Sequence, residues 1–305
     1  MPTVRRPDGL AVAVRSLLAQ QGVDPAGLEL IVADNDPAGS AGTFVAEAAA
    51  AAPFPIRYVH MAEPGVANAR NAAVAAASGE LIAFLDDDEE APPGWLAAML
   101  AARERYAADV VFGPVRGRAP PHVTRHRDYL ERFFSREGPD ESGRLDHYYG
   151  CGNSLLRRAA LPDPERPFSA DRNHIGGEDD LLFGQMKAAG ATFAWAAEAW
   201  VWEDPVPSRL SLRYALPRAF AYGQGPTASC VAASPPDWLG AAGWMAQGLV
   251  QAGLFGALAG LHWLTRSPRF AFTADKAARG LGKTFWFGPF KLEFYGRSSG
   301  GVRRP

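Results

Sequence analysis

The stretch Glu80-Leu81-Ile82-Ala83-Phe84-Leu85-Asp86-Asp87-Asp88 runs from an apolar segment directly into three consecutive carboxylates. An apolar run of that length reads as a buried parallel strand, and the acids then sit at its carboxyl end, the edge at which open α/β sheets present ligands. Crowding three carboxylates is costly unless a cation or hydrogen-bond donors compensate, and a hard divalent ion taking oxygen ligands does so most directly. The stretch therefore outlines a metal and diphosphate site. The plainer reading is a solvated acidic turn ahead of a helix, because Glu89 and Glu90 follow and Pro92-Pro93-Gly94 is a helix opening.

Upstream, helical and strand patterns alternate over residues 10–108 as four βα-type units, which predicts a doubly wound α/β arrangement. Leu10, Val14, Leu17 and Leu18 share a helical face ahead of Gly22. Residues 28–33 form a short apolar strand that runs into Asp34-Asn35-Asp36, residues 56–60 form a second, and residues 66–78 form an alanine-rich helix closed by Gly79. Two strands thus deliver carboxylates at the same kind of edge. Asn35 and Asp36 read as turn formers and stay outside the site.

In this order and spacing the motifs resemble glycosyltransferase family 2, whose members have the GT-A fold and use nucleotide sugars. Pro2-Thr3 with Arg6-Pro7-Asp8-Gly9-Leu10 looks like the end of the family's first strand and its nucleotide loop. Asp34 falls where the family carries the carboxylate that accepts from the nucleotide base. Glu63-Pro64-Gly65-Val66-Ala67-Asn68-Ala69-Arg70-Asn71 looks like its Gly-x-x-x-Ala-Arg-Asn helix start, and Asp86-Asp87-Asp88 like its DxD motif. Gly152-Asn153 resembles the donor-sugar loop, and Gly177-Glu178-Asp179-Asp180-Leu181 the ED motif. The likeness spans residues 2 to about 225.

The resemblance implies an inverting transfer: an acceptor hydroxyl attacks the anomeric carbon of a nucleoside-diphosphate sugar, with a UDP-sugar the expected donor. Mn²⁺ or Mg²⁺ held by Asp88 and ordered by Asp86 would neutralise the leaving diphosphate. Asp86 or Asp87 would reach the ribose, Arg70 would offer a bidentate donor to the phosphates, and Asp179 would be the general base. Pro2, Thr3, Asp34, Gly152, Asn153 and Glu178 complete the expected nucleotide-sugar contacts. The simpler reading of residues 178–180 is a first turn of helix-dipole acids, and both readings hold together if the helix start positions the base. Cys151, between Gly150 and Gly152, reads as a small buried loop residue rather than a nucleophile. Cys151 and Cys230 have no metal spacing, which suits a reducing compartment.

The chain departs from the family pattern in three places. Relatives carry four or five apolar residues before the equivalent of Pro2-Thr3, so a start upstream of Met1 is expected, since a sheet lacking that strand would leave backbone groups unpaired. Val4 stands where an aromatic residue is usual. Glu203, in Trp200-Val201-Trp202-Glu203-Asp204, stands where many relatives place a histidine. These departures motivate the rival reading, a catalytically silent GT-A module that binds nucleotide or a partner. A nucleotidyltransferase would need a Gly-rich phosphate loop with lysine near the amino terminus, and none is present.

Residues 238–265 contain no Asp, Glu, Lys or Arg and begin at Trp238. Their length would span a bilayer, which takes about 20 residues, but six glycines and six alanines dilute them, and Gln247, Gln251 and His262 share a helical side. An interfacial helix is the expectation, with a span or a buried helical hairpin as alternatives. Residues 266–305 carry a net +7 against −9 for the rest, interleaved with aromatics such as Trp286 and Phe290, which fits an anionic membrane surface and not nucleic acid. The closing Leu292-Glu293-Phe294-Tyr295-Gly296 resembles succinoglycan-type exopolysaccharide transferases. Residues 120–146 lack periodicity and read as an acceptor loop.

The sequence thus predicts an α/β GT-A fold, a Rossmann-like and mostly parallel central sheet flanked by helices. Residues 1–225 form the catalytic domain, its nucleotide-sugar half about 1–115 and its acceptor half about 116–225. Residues 226–305 form a helical, membrane-associated extension. With no signal-peptide pattern at the amino end, the expected place of work is the cytoplasmic face of a bacterial inner membrane, on a lipid-linked saccharide or polysaccharide acceptor.

Overall fold

The computed structural model describes residues 1–173 and 176–292, so the motif at 292–296 lies outside the described residues from Glu293 onward. In chain order the elements are β1 (Pro2–Thr3), α1 (Pro7–Leu18), β2 (Leu30–Asp34), α2 (Gly42–Ala50), β3 (Ile56–His60), α3 (Val66–Ala76), β4 (Leu81–Phe84) and β5 (Glu89–Glu90). There follow α4 (Trp95–Tyr106), β6 (Val110–Phe112), β7 (Val115–Gly117), α5 (Arg127–Phe133), β8 (Gly143–Leu145) and β9 (Ser154–Arg157). The chain continues with α6 (Glu178–Ala188), β10 (Phe193–Trp195), β11 (Val201–Glu203), α7 (Leu212–Ala232), α8 (Trp238–Leu264) and α9 (Phe270–Thr284). Two compact units result: Met1–Arg118 with Phe134–Asp204, and Ala119–Phe133 with Pro205–Pro305.

In the first unit β1, β2 and β3 are all parallel, with β2 in the middle. The sequence Leu30-Ile31-Val32-Ala33-Asp34 explains that place, because all five side chains are buried and a strand covered on both faces has no polar alternation. A second sheet runs β4-β9-β6-β10-β8, and a third β5-β11-β7. The strand read as parallel at 80–85 is corrected here: β4 pairs antiparallel with β9, Phe84 opposite Ser154 and Leu81 opposite Arg157. β4 is the edge strand of that sheet, and its apolar run reflects packing on both faces, with Ile82 and Phe84 buried and Leu81 and Ala83 half-buried. The register still puts Asp86-Asp87-Asp88 just past the strand's carboxyl end, beside the turn that precedes Ser154.

The helices pack by small residues where the backbone must come close. In α3, Ala67, Ala69, Ala73 and Val74 are buried, and Gly65 ahead of it adopts φ 143°. A Cβ on Gly65 would stand 2.2 Å from Asn173 Cγ, whose Oδ1 accepts from the Ala67 amide at 2.9 Å. The motif glycine is thus required twice, by conformation and by space. Trp95, Trp195, Phe112, Phe168 and Phe183 fill the core, with Phe112 edge-on to Phe183 at 5.0 Å.

The second unit is helical. The stretch read as a structureless acceptor loop contains α5, whose Tyr129 is edge-on to Phe272 at 5.4 Å and donates to Asp275 Oδ1 at 3.1 Å. Glycines set the crossings of α7, α8 and α9: a Cβ on Gly223 would meet the Arg279 carbonyl at 2.2 Å, and one on Gly248 the Gly280 carbonyl at 2.6 Å. Among the described residues α8 alone is long and apolar enough to cross a membrane by length and composition.

Candidate functional site

The site is assembled at the carboxyl end of β4 from segments up to a hundred residues apart in sequence. Arg70, on α3, donates from Nη1 to Glu178 Oε1 at 2.6 Å, and its Nη2 lies 3.6 Å from Asp86 Oδ1. Asp86 faces the backbone of Gly152, where a Cβ would stand 2.8 Å from Asp86 Oδ2. Asp179, next to Glu178 at the start of α6, accepts from the Cys151 amide at 3.2 Å and from the Asp180 amide at 2.9 Å. One run of contacts therefore joins Arg70, Asp86, Gly152, Glu178 and Asp179, five of the residues singled out by the sequence.

Within this group one guanidinium faces three carboxyl groups. Arg70 is buried; burial opposes its charge, yet Asp86, Glu178 and Asp179 outweigh that and hold the guanidinium above its ordinary range. Burial pushes Glu178 upward, with Arg70 pulling against it. Among the described residues the buried Arg70 Nε has no hydrogen-bond partner. Burial also pushes the Cys151 thiol up to about 12, so it is neutral and no nucleophile. That agrees with its reading as a small loop residue.

The DxD segment carries a second arginine that the sequence reading had left within the nucleotide loop. Arg6 Nη1 donates to Asp87 Oδ1 at 3.0 Å and also contacts Asp88 Oδ2. Thr3 Oγ1 donates to Asp87 Oδ2 at 2.8 Å. Burial pushes the Asp87 carboxyl up to about 6, with Arg6 and Thr3 working in the other direction. Gly9 is needed here because a Cβ would stand 2.5 Å from the Asp87 carbonyl. Pro2 and Thr3 thus support the acidic turn through β1 and the Thr3 hydroxyl.

Asp86 and Asp88 offer carboxylate oxygens, hard donors that suit Mn²⁺ or Mg²⁺. Among the described residues no group of three His, Cys, Asp or Glu side chains makes a metal cage by itself. Such a donor set fits an ion that one or two carboxylates hold and that substrate phosphates and water complete. Bound there, the ion would supply Lewis-acid stabilisation of a leaving diphosphate.

Two of the residues expected to contact the nucleotide sugar are held by hydrogen bonds within the chain. Asp34 is completely buried, and its carboxylate accepts from the Asp36 amide at 2.9 Å, the Ala41 amide at 2.8 Å and Tyr58 Oη at 3.0 Å. These contacts organise the turn after β2. Asn153 is likewise completely buried at φ 49°; Trp95 Nε1 donates to its Oδ1 at 2.7 Å, and its Nδ2 donates to the Pro114 and Ala199 carbonyls at 2.7 and 2.9 Å. Its side chain pins the loop, and the half-buried Gly152 beside it lies against Asp86 and Glu89. Glu203 pairs in register with Glu89, whose Oε2 accepts from the Asp86 amide at 2.9 Å.

Sequence reading missed Arg136. Its guanidinium donates to the carbonyls of Gly113 at 2.9 Å, Gly150 at 2.8 Å, Gly152 at 2.6 Å and Asn153 at 2.9 Å, so the loop at 150–153 is wrapped around it. Burial pulls this guanidinium below its ordinary range, and Glu89 and Asp86 pull the other way. No spacing marks it, because its partners are all backbone. Lysine keeps the charge but lacks the planar fork. Arg136→Lys is therefore expected to lower transfer by about tenfold to a hundredfold through misplacement of the loop; an unchanged rate in steady-state kinetics of the folded variant would show that the loop holds its shape without the fork.

With this geometry in hand, the comparisons with known proteins are informative. Over 223 residues the chain is 39% identical to the succinoglycan biosynthesis protein ExoM of Rhizobium meliloti (strain 1021), covering 73% of this chain and 71% of that one. The mannosyltransferase PcManGT from Pyrobaculum calidifontis, solved in complex with GDP-Man and Mn²⁺, superposes with a TM-score of 0.59 at 19% identity over 93% of this chain and 85% of its own. S. aureus TarS 1-349 superposes with a TM-score of 0.52 at 16% identity over 79% of this chain, which spans 66% of that chain's length, slightly under two thirds. At such identities the two structures speak for the fold alone, and that is the GT-A fold. The sequence profile described as Glycosyl transferase family 2 matches residues 1–163. Profile and ExoM identity together decide the matter: the chain belongs to glycosyl transferase family 2 and is a glycosyltransferase.

Proposed function

We propose that this glycosyltransferase is inverting and metal-dependent and moves a sugar from a nucleoside-diphosphate sugar, a UDP-sugar first of all, to a lipid-linked or polysaccharide acceptor in exopolysaccharide synthesis. The observation that carries the reading is the run of contacts Asp179–Cys151–Gly152–Asp86–Arg70–Glu178, because it brings a candidate base, a sugar-binding loop and a phosphate-side acid to one edge. Asp179 takes the proton of the acceptor hydroxyl, its orientation fixed by the Cys151 and Asp180 amides. Glu178 stays with Arg70 and keeps the helix start in place. Arg70 and Arg6 offset part of the acidic charge and offer guanidinium donors on the diphosphate side. The structural neighbours support a nucleotide-sugar donor, since TarS 1-349 was solved with UDP-GlcNAc and PcManGT with GDP-Man and Mn²⁺. The name of the curated relative supports exopolysaccharide as the product class.

Residues 1–225 hold every proposed catalytic residue, and residues 226–305 act as the extension that works at an anionic membrane surface. The cytoplasmic face of a bacterial inner membrane is the place consistent with that division. A thermal-shift panel of UDP, GDP, ADP and CDP, each with and without Mn²⁺, tests the donor side. A diphosphate at a hundredfold its dissociation constant stabilises by about 2.7 kcal/mol, so the cognate one should raise the melting temperature in the presence of Mn²⁺. A panel flat at millimolar nucleotide would overturn the donor assignment.

A further inference from the structure

Helix α8 turns its polar side towards α9. Gln251 Nε2 donates to the Lys276 carbonyl at 2.7 Å, Lys283 Nζ donates to Gln251 Oε1 at 2.9 Å, and His262 Nδ1 lies 3.3 Å from Thr273 Oγ1. Gly248 and Gly280 bring the two backbones together on the same side. The opposite side has no polar group. At about 100° per residue, Leu239, Leu249, Val250, Leu254, Leu261 and Leu264 fall within an arc of roughly 140°, filled out by alanines and glycines. All six are exposed, Leu239 by 88%, Val250 by 71% and Leu264 by 73%. An apolar strip along a 27-residue helix, about 40 Å long, is far from the scattered exposed leucines of an ordinary surface. Trp238 and Trp263 stand exposed near its two ends, and Arg266 and Arg269 follow directly. Tryptophan at both ends of an apolar strip, with arginine beyond its carboxyl end, suits the headgroup layer of an anionic leaflet, while Asp237 caps the amino end.

Whether α8 would cross a bilayer or lie in it is decided by α9. The contacts of α9 with α8 run from the Met245 carbonyl, which accepts from Thr284 Oγ1, to His262, so α9 lies along most of the helix. It carries Asp275, Lys276, Arg279 and Lys283, and Gln251 sits at the middle of α8. Lys276 and Lys283 are held over the rings of Phe255 and Trp244, at 4.9 and 5.0 Å. A crossing α8 would carry all of these charges to hydrocarbon depth, where each is strongly disfavoured. A flat α8 sinks its outer strip and leaves α9 in water.

The geometry points to in-plane anchoring in one leaflet: α8 lies at the headgroup–acyl boundary of an anionic bilayer by the strip centred on Leu239, Val250 and Leu264. This deepens the membrane reading given above and is independent of the transfer chemistry. The test uses the full chain with Cys230→Ser, Cys151 being buried, and a single nitroxide label at Leu239→Cys, Val250→Cys or Leu264→Cys. With phosphatidylcholine–phosphatidylglycerol vesicles at low salt, the protein should pellet with the lipid, and oxygen and nickel-chelate accessibilities should report the same shallow depth at all three positions. Val250→Glu with Leu254→Glu should reduce the vesicle-bound fraction at least tenfold. A label at 250 near the bilayer midplane, with those at 239 and 264 near the surfaces, would overturn in-plane anchoring while leaving membrane association standing. Failure to bind vesicles would overturn both, as would light scattering showing a dimer whose contact buries the label at 250.

Discussion

Asp179→Asn is expected to lower sugar transfer by about 10² to 10⁴-fold, while the affinity for nucleoside diphosphate and metal stays near that of the unchanged protein. The magnitude follows from removing a general base, which contributes only once the acceptor hydroxyl begins to lose its proton. Affinity is spared because Asp179 is joined to the site through the Cys151 and Asp180 amides and not through Arg6, Asp87 or Asp88. Asparagine keeps the shape and can still accept from one of those amides, so the fold should be intact. Glu178→Gln makes the contrast. It leaves Arg70 buried beside a neutral partner, and breaking a buried pair by removing one charge typically costs about 3–5 kcal/mol of stability. The two neighbouring substitutions should therefore separate, one lowering turnover and the other the denaturation midpoint. Turnover of Asp179→Asn within a few-fold of normal would remove Asp179 from the role.

The parts of this fold that were legible in the sequence are those whose cause is local. β3 has the predicted bounds, residues 56–60, and the burial of β2 follows from its unbroken apolar run. α3 begins at Val66 because Gly65 supplies a φ that few other residues adopt. The acidic first turn of α6, with Glu178, Asp179 and Asp180, is both a helix start and a site element. Partnership was not legible. The apolar residues of β4 say that it is buried but not that β9, some seventy residues later, runs antiparallel to it. In α5 the buried pair Tyr129 and Leu130 is too short a signal for any period to emerge.

The candidate site divides along the same line. The acids announced themselves by clustering, whereas their counter-charges did not. The compensation demanded by Asp86, Asp87 and Asp88 comes partly from Arg6 and Arg70, one from a loop and one from a helix, and Arg136 braces backbone carbonyls that have no sequence signature. Asp34 and Asn153 look like ligand-facing polar residues in sequence because nothing local says that Ala41, Tyr58 and Trp95 have already taken their hydrogen bonds. In α8 the grouping of Gln251 and His262 on one side was visible, but only the presence of α9 shows that this side is the covered one.

Asp88→Ala is expected to abolish the part of nucleoside-diphosphate binding that depends on Mn²⁺, whereas Asp36→Ala should leave it in place. Asp88 sits past β4 with Asp86, and its carboxylate shares Arg6 with Asp87; with Glu178 on Arg70, four acids face two arginines and net negative charge remains for an added cation. Metal alone should therefore bind weakly, and metal with diphosphate strongly, because the phosphates complete the oxygen shell that the chain leaves open. Removing Asp88 takes away one negative charge and one carboxylate donor, which weakens the attraction for a cation. Asp36 is engaged elsewhere, by the Arg5 guanidinium at 3.0 Å, and its loss should disturb the turn after β2 and not the diphosphate. Titration calorimetry of the cognate nucleotide with and without Mn²⁺ reads both variants. A loss of at least a hundredfold in Mn²⁺-supported affinity for Asp88→Ala, with Asp36→Ala within a few-fold of normal, is the expected pattern, and equal losses would move the metal away from Asp88.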